Sequence, residues 1–253
     1  MKIFIGFCFI LLFLIHYPLL ASDEITVKPK EIQVSFFYKG ERLQISATPN
    51  SCQDDFIIKI TSEQKEESTF KTIEKVGGLI WMKVNDIHYK NLPLFYHIYS
   101  NKPIESILPK KILENYDLGF AVLGEKAEIF PLKDPNQKIK FWQEYLKYQG
   151  KHRLYEEKVV QFTCNEDKAP KLEATLDWPY QAPPGEYQVE LYEVKQGTIV
   201  KEIRESIKVS QVGLVKVLAD FSKNQALIYG IFSVIIALVA GFLVGLIFKK
   251  GGH

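Results

Sequence analysis

The chain has 253 residues, of which 47% are hydrophobic, with the longest apolar runs at its two ends. Lys and Arg number 32 against 30 Asp and Glu, so the charges nearly cancel and the composition excludes the basic footprint of a nucleic-acid-binding protein. Setting the two ends aside leaves roughly 190 residues for one large or two small domains, and 17 Phe with 13 Tyr suit strands packed in a sandwich.

Met1-Lys2 forms a short positive region, Ile3 to Ile15 an apolar one, and Leu19-Leu20-Ala21-Ser22 a cleavage region. The spacing predicts a signal peptide over 1–21, cut after Ala21. An uncleaved anchor is the alternative, because Leu19 is a mediocre residue three positions before the cut.

Residues 22–102 read as a β-sandwich module. Ile32, Val34, Phe36 and Tyr38 alternate, Lys39-Gly40-Glu41 turns, and Leu43, Ile45 and Ala47 alternate back. Phe56, Ile58 and Ile60 share the next apolar side, and the acidic stretch Glu63 to Thr69 reads as a solvated loop. Leu79 to Val84 is apolar on both sides and predicts a central strand, with a turn at Asn85-Asp86. Pro93 then opens an aromatic strand, Leu94 to Tyr99.

The period changes over 103–155, read as a helical segment. Pro103 opens a short helix and Pro109 restarts it. Asp134 or Asn136 caps a longer helix, Gln137 to Tyr148, with Ile139, Trp142 and Leu146 on its buried stripe and Gly150 past its end. Alternation returns over 156–211, read as a second, smaller sandwich: Leu172, Ala174, Leu176 and Trp178, then Tyr187, Val189 and Leu191, a turn at Lys195-Gln196-Gly197, and Ile199 to Val209. The fold class expected is mainly β, with two immunoglobulin-like sandwich modules around a helical segment.

Residues 212–225 form a juxtamembrane segment, either an interfacial helix or the start of the span, and Ser222-x-x-Gln225 has the form of a capping box. Residues 226–248, ALIYGIFSVIIALVAGFLVGLIF, carry no charge and no Pro. As a helix they reach about 34 Å, enough to cross a hydrocarbon core of about 30 Å. Lys249 and Lys250 follow directly, which places the tail, 249–253, in the cytoplasm and the body outside. None of the Asn residues heads an Asn-x-Ser/Thr sequon, which favours a bacterial periplasm and inner membrane over a eukaryotic secretory route. Ser233, Ala237, Gly241 and Gly245 recur every four residues, and Gly241 to Gly245 is a GxxxG step. This small-residue face fits close packing against another membrane helix, from a second copy or from a polytopic partner.

Cys8 leaves with the signal peptide, so Cys52 and Cys164 are either one disulfide or two separate thiols. His88, His97 and His152 show no metal-ligand spacing. His88 and His97 are the candidates for a metal site if they face each other across paired strands, with Cys52 and Asp54 or Asp55 nearby; ordinary strand histidines are the other reading. Asp54-Asp55 and Glu66-Glu67 read as loop acids, and no Gly-x-Ser-x-Gly, phosphate loop or dinucleotide fingerprint occurs. The expectation is a noncatalytic protein without a cofactor.

Two blocks carry a resemblance. One is Gly78-Leu79-Ile80-Trp81, Asn91-Leu92-Pro93-Leu94-Phe95-Tyr96 and Ser100-Asn101-Lys102-Pro103-Ile104. The other is Val212-Gly213, Asp220-Phe221 and Gln225-Ala226-Leu227-Ile228-Tyr229-Gly230 leading into Ala240-Gly241. Across most of the mature chain the sequence resembles a family of single-pass transmembrane proteins first described from alpha-proteobacteria. It departs at Lys102, where the family tends to have Arg, and at Ala226, where it tends to have Pro. The resemblance implies architecture rather than a reaction, and suggests a permease as membrane partner. The expected role is that of a membrane-anchored exported accessory or scaffold protein; the alternative is a periplasmic ligand- or metal-binding module on a tether.

Overall fold

The computed structural model describes residues 25–65, 67–76, 80–132, 134, 136–166 and 169–249; for 72–85, 247 and 249 it describes the backbone alone. The expected signal peptide and most of the expected cytoplasmic tail lie outside the described residues. In chain order come β1 (Ile25–Lys28), β2 (Glu31–Val34), β3 (Glu41–Ala47), β4 (Asp55–Ser62), β5 (Ser68–Val76), β6 (Ile80–Lys90) and β7 (Tyr96–Ser100). Helices α1 (Ile104–Ile107), α2 (Lys110–Asn115) and α3 (Phe120–Lys126), strand β8 (Glu128–Phe130) and helix α4 (Asn136–Lys151) follow. Then come β9 (Tyr155–Val159), β10 (Thr163–Asn165), β11 (Lys171–Trp178), β12 (Gly185–Lys195) and β13 (Thr198–Gln211), and finally α5 (Gly213–Asn224) and α6 (Ala226–Lys249).

The mainly-β class with one C-terminal apolar helix stands, but the strands do not divide into two modules at 22–102 and 156–211. They interleave. One sheet has the order β1-β3-β11-β10, and a second the order β2-β13-β12-β4-β7-β9. Strand β3 pairs antiparallel with β11, Leu43 opposite Leu176 and Ile45 opposite Ala174. Strand β4 pairs with β12, Ile58 opposite Leu191 and Ile60 opposite Val189. Two pairs are parallel, β2 with β13 and β7 with β9. Alternation within a strand fixes which side chains turn inward but not which strand lies alongside, so a sandwich drawing on both halves has the same local pattern as two smaller ones.

The six-stranded sheet is buried on both faces. On one, Phe56, Ile58, Ile60, Tyr187, Val189 and Leu191 meet the inner face of the four-stranded sheet. On the other, Ile57, Tyr96, Ile98, Tyr192 and Val194 pack under the helical segment. That explains the near-continuous apolar run of β4, where each fully buried Ile contributes about 1.5–3 kcal/mol. The second face also buries a charge cluster. Lys59 Nζ lies 2.5 Å from Glu190 Oε2 and donates to the Tyr116 carbonyl at 2.9 Å, at the C-terminal end of α2, where a cation is favoured. Arg204 Nε holds the other Glu190 oxygen at 3.2 Å.

The third sheet, β5-β6-β8, extends from the helical segment. Asn85-Asp86 does not turn: β6 runs through it unbroken, opposite a register shift at Thr72/Ile73. Strand β6 is the central strand of this sheet. Pro103 and Pro109 precede α1 and α2 as expected. Helix α4 is longer than expected and takes in Gly150, with Trp142, Tyr145 and Gln149 buried and Ile139 64% exposed. Its stripe is therefore aromatic, continued by Tyr145 stacking on Tyr89 at 4.6 Å. Asp134 Oδ1 accepts from the Asn136 N–H at the start of α4.

Candidate functional site

The sandwich has two chemically different ends. At one, Cys52 in the β3–β4 loop is bonded to Cys164 on β10, with the Cα atoms 5.6 Å apart. Two strand registers bring Cys164 there: it lies opposite Leu172, which lies opposite Ala47. The same loop is held by the buried Glu193 carboxylate, which accepts the Asn50 and Ser51 N–H groups at 2.9 and 3.0 Å. Burial raises the Glu193 pKa, opposed by these two donors.

His88 and His97 do not face each other. His88 lies in the three-stranded sheet, 3.0 Å from Glu67 Oε1 and 3.1 Å from Thr69 Oγ1, stacked on Phe130. His97 lies in the six-stranded sheet with a 2% exposed side chain, between the Tyr99 hydroxyl at 2.9 Å and the Arg153 carbonyl at 3.0 Å. Burial lowers its pKa to about 4. The Tyr99 hydroxyl also lies 2.9 Å from Glu156 Oε2 and carries this chain to the surface; with His97 neutral and its Nε2–H on the Arg153 carbonyl, the single Tyr99 proton serves either Nδ1 or Glu156. Cys52 is committed to its disulfide. Among the described residues no group of three or more His, Cys, Asp or Glu could hold a metal ion.

The other end leads to the apolar helix. Val212 N–H donates to the Val34 carbonyl at 3.0 Å, tying the last residue before α5 to the end of β2. Gly213, at φ 60°, then turns the chain into α5. This helix is separate from the span: Gln225 leaves helical geometry at φ −135°, ψ 48°, and α6 starts at Ala226. The two meet at an angle, because Phe221 contacts both Tyr229 and Phe232 with ring centroids 5.9 and 6.3 Å apart. In one straight helix residues 221 and 232 would be about 16 Å apart along the axis. The expected capping box is not formed. Ser222 Oγ donates backward to the Ala219 carbonyl at 2.9 Å, within α5.

Helix α5 lies across the end of the body. Ala219 and Lys223 form one wall of a groove of about 1000 Å³, and Phe70, Tyr148, Gln149 and Gln181 are among those opposite. The Gln149 and Gln181 side-chain carbonyls are buried without a hydrogen-bond partner. Within α6, Ser233, Ala237, Gly241 and Gly245 are all exposed, and a Cβ built on Gly241 or Gly245 would meet nothing within 4 Å. Ser233 Oγ donates to the Tyr229 carbonyl at 2.8 Å, so its polar atom is satisfied inside the helix.

The family model described as "Putative transmembrane protein (Alph_Pro_TM)" matches residues 24–250, from just before β1 to just past α6. The chain belongs to this family. A search of curated proteins finds no match. In this Alph_Pro_TM chain the apolar stretch Ala226–Leu246 is long enough to cross a bilayer and none of it is buried against the body. It anchors the protein in a membrane. Sequence reasoning located that span and left open whether 212–225 starts it or forms a helix of its own; the structure separates α5 from α6. The one signal was polar Ser222 to Gln225 between them.

Proposed function

We propose that this protein is a noncatalytic accessory or scaffold subunit, with its body on the outer face of a bacterial inner membrane and its short tail in the cytoplasm. Its membrane helix packs against another, either from a second copy or from a permease-like transporter. The observation that carries this reading is the uncovered face of Ser233, Ala237, Gly241 and Gly245 on α6. Helices in lipid gain little from hydrophobicity, so they associate where small residues let backbones approach. The Lys249-Lys250 pair after the span supports the orientation. Replacing Gly241 and Gly245 with Leu tests the reading: co-purification of the membrane partner, or of a differently tagged copy, is lost. Full recovery with the double variant overturns it.

A second reading, a ligand-binding or sensing module, is favoured by the groove beside α5, whose lining includes the amide side chains Gln149 and Gln181. A small polar molecule that co-elutes with the chain from native membranes and is lost on Gln149→Met supports it. Identical small-molecule content in both preparations overturns it. The metal version has no such support, since His88 and His97 stand in different sheets.

A further inference from the structure

From the exposed Phe36-Phe37 pair and the outward apolar face of α5, we infer that the body rests on the lipid surface through a second membrane contact, independent of the span. Phe36 and Phe37 are 68% and 84% exposed, in the β2–β3 loop, with their rings edge to face at 5.2 Å. Soluble surfaces seldom display two adjacent Phe rings; an aromatic pair left in water suits the boundary between headgroups and acyl chains. The loop is at the membrane end of the sandwich. It starts one residue after Val34, whose carbonyl holds Val212 at the start of the path into α5 and α6.

Helix α5 has two faces. Val215, Ala219 and Ser222, one helical turn apart in succession, are partly covered, and Ala219 lines the groove against the body. Leu214, Val217 and Leu218 are 57%, 62% and 44% exposed and point the other way. Lys216, Asp220 and Lys223 are exposed on the remaining side of the helix, Lys223 on the groove wall with Ala219. An exposed apolar face with the charged residues gathered on another side is the amphipathic pattern of a helix lying in the plane of a membrane interface. The occupant follows from continuity: α6, which crosses the bilayer, is separated from α5 by the single residue Gln225. A helix joined to the span through Gln225 alone cannot leave the bilayer surface by more than about its own length of 18 Å. Lys39, exposed beside the Phe pair, gives the loop the same charge as α5, suited to anionic headgroups.

The test uses the full chain reconstituted alone in vesicles of phosphatidylethanolamine and phosphatidylglycerol, with some lipid replaced by brominated phosphatidylcholine. In Phe37→Trp, the added emission over wild type is quenched, more by bromines near the headgroup than by bromines near the chain ends. In Lys195→Trp, at the far end of the body, the added emission is unchanged. Both positions are exposed, so neither substitution touches a core. An unquenched Phe37→Trp signal overturns the inference, as does a blue-shifted signal without quenching, which reports a contact between copies. The vesicles hold no partner protein, so failure here is distinguishable from failure of the helix-packing reading.

Discussion

Lys59 and Glu190 face each other across β4 and β12 with side chains only 9% and 10% exposed, under the helical layer. Removing one partner leaves a buried charge, whereas removing both leaves an apolar face. Glu190→Leu is therefore expected to cost about 3 kcal/mol in urea unfolding of the detergent-solubilised chain. Lys59→Met combined with Glu190→Leu should recover most of that loss; additive losses would contradict this account. His97 gives a pH signature. Its folded pKa is about 4 against 6.5 for the unfolded ring, so between those values the unfolded chain binds a proton that the folded chain does not. The stability it contributes is complete above pH 6.5, falls as the pH drops through that window and levels off below about 4, a loss of at most about 3 kcal/mol. Burial raises the Glu157 and Glu193 pKa values above 4.5, which acts in the opposite sense as pH rises. The measurement is thus the difference between wild type and His97→Gln: unfolding midpoints converge toward pH 4 as the wild type alone loses stability. Parallel curves would show that His97 does not titrate this way.

At the scale of elements, Gly124 in α3 lets the Trp142 ring of α4 lie flat against it. A Cβ there would sit 2.4 Å from the indole nitrogen and within 2.8 Å of two ring carbons. Gly124→Ala should lower stability by about 1–3 kcal/mol through overpacking, read as a fall in melting temperature. The Cys52–Cys164 bond spans 112 positions, and the double Ala variant should lose about 4 kcal/mol, since a long loop is freed in the unfolded chain. These elements show what the sequence could reveal. The strictly alternating burial of β11 is visible in Leu172, Ala174, Leu176 and Trp178, and the Lys195-Gln196-Gly197 hairpin turn in its Gly. Helix α3 was missed because only seven residues form it and its buried Val122, Leu123 and Gly124 make no full periodic stripe. The partnership of β3 with β11 was not legible either, since both were amphipathic strands equally able to pair nearby. At the membrane end, the small-residue face was readable from spacing alone. The Phe36-Phe37 pair was not, because its first ring fitted the alternation of β2 and hid the end of that strand.

For the molecule as a whole, the disulfide end and the anchored end are opposite ends of one sandwich. The proposed orientation predicts that a thiol introduced by Lys195→Cys reacts with a membrane-impermeant reagent in intact spheroplasts. Labelling only after lysis would reverse the topology. The parallel pairing of β2 with β13 has a consequence for how the protein is made. In the central sheet, β13 lies between β2 and β12, yet its last residue, Gln211, is made two residues before α5 begins. The earliest strands must wait, edges open, until nearly the whole body has been translated. In the proposed orientation, the next long segment to arrive at the translocation channel is α6, which stops transfer. Completion of the sheet and arrest in the membrane are in that orientation consecutive moments of one synthesis, so an unfinished body is never released far from the membrane.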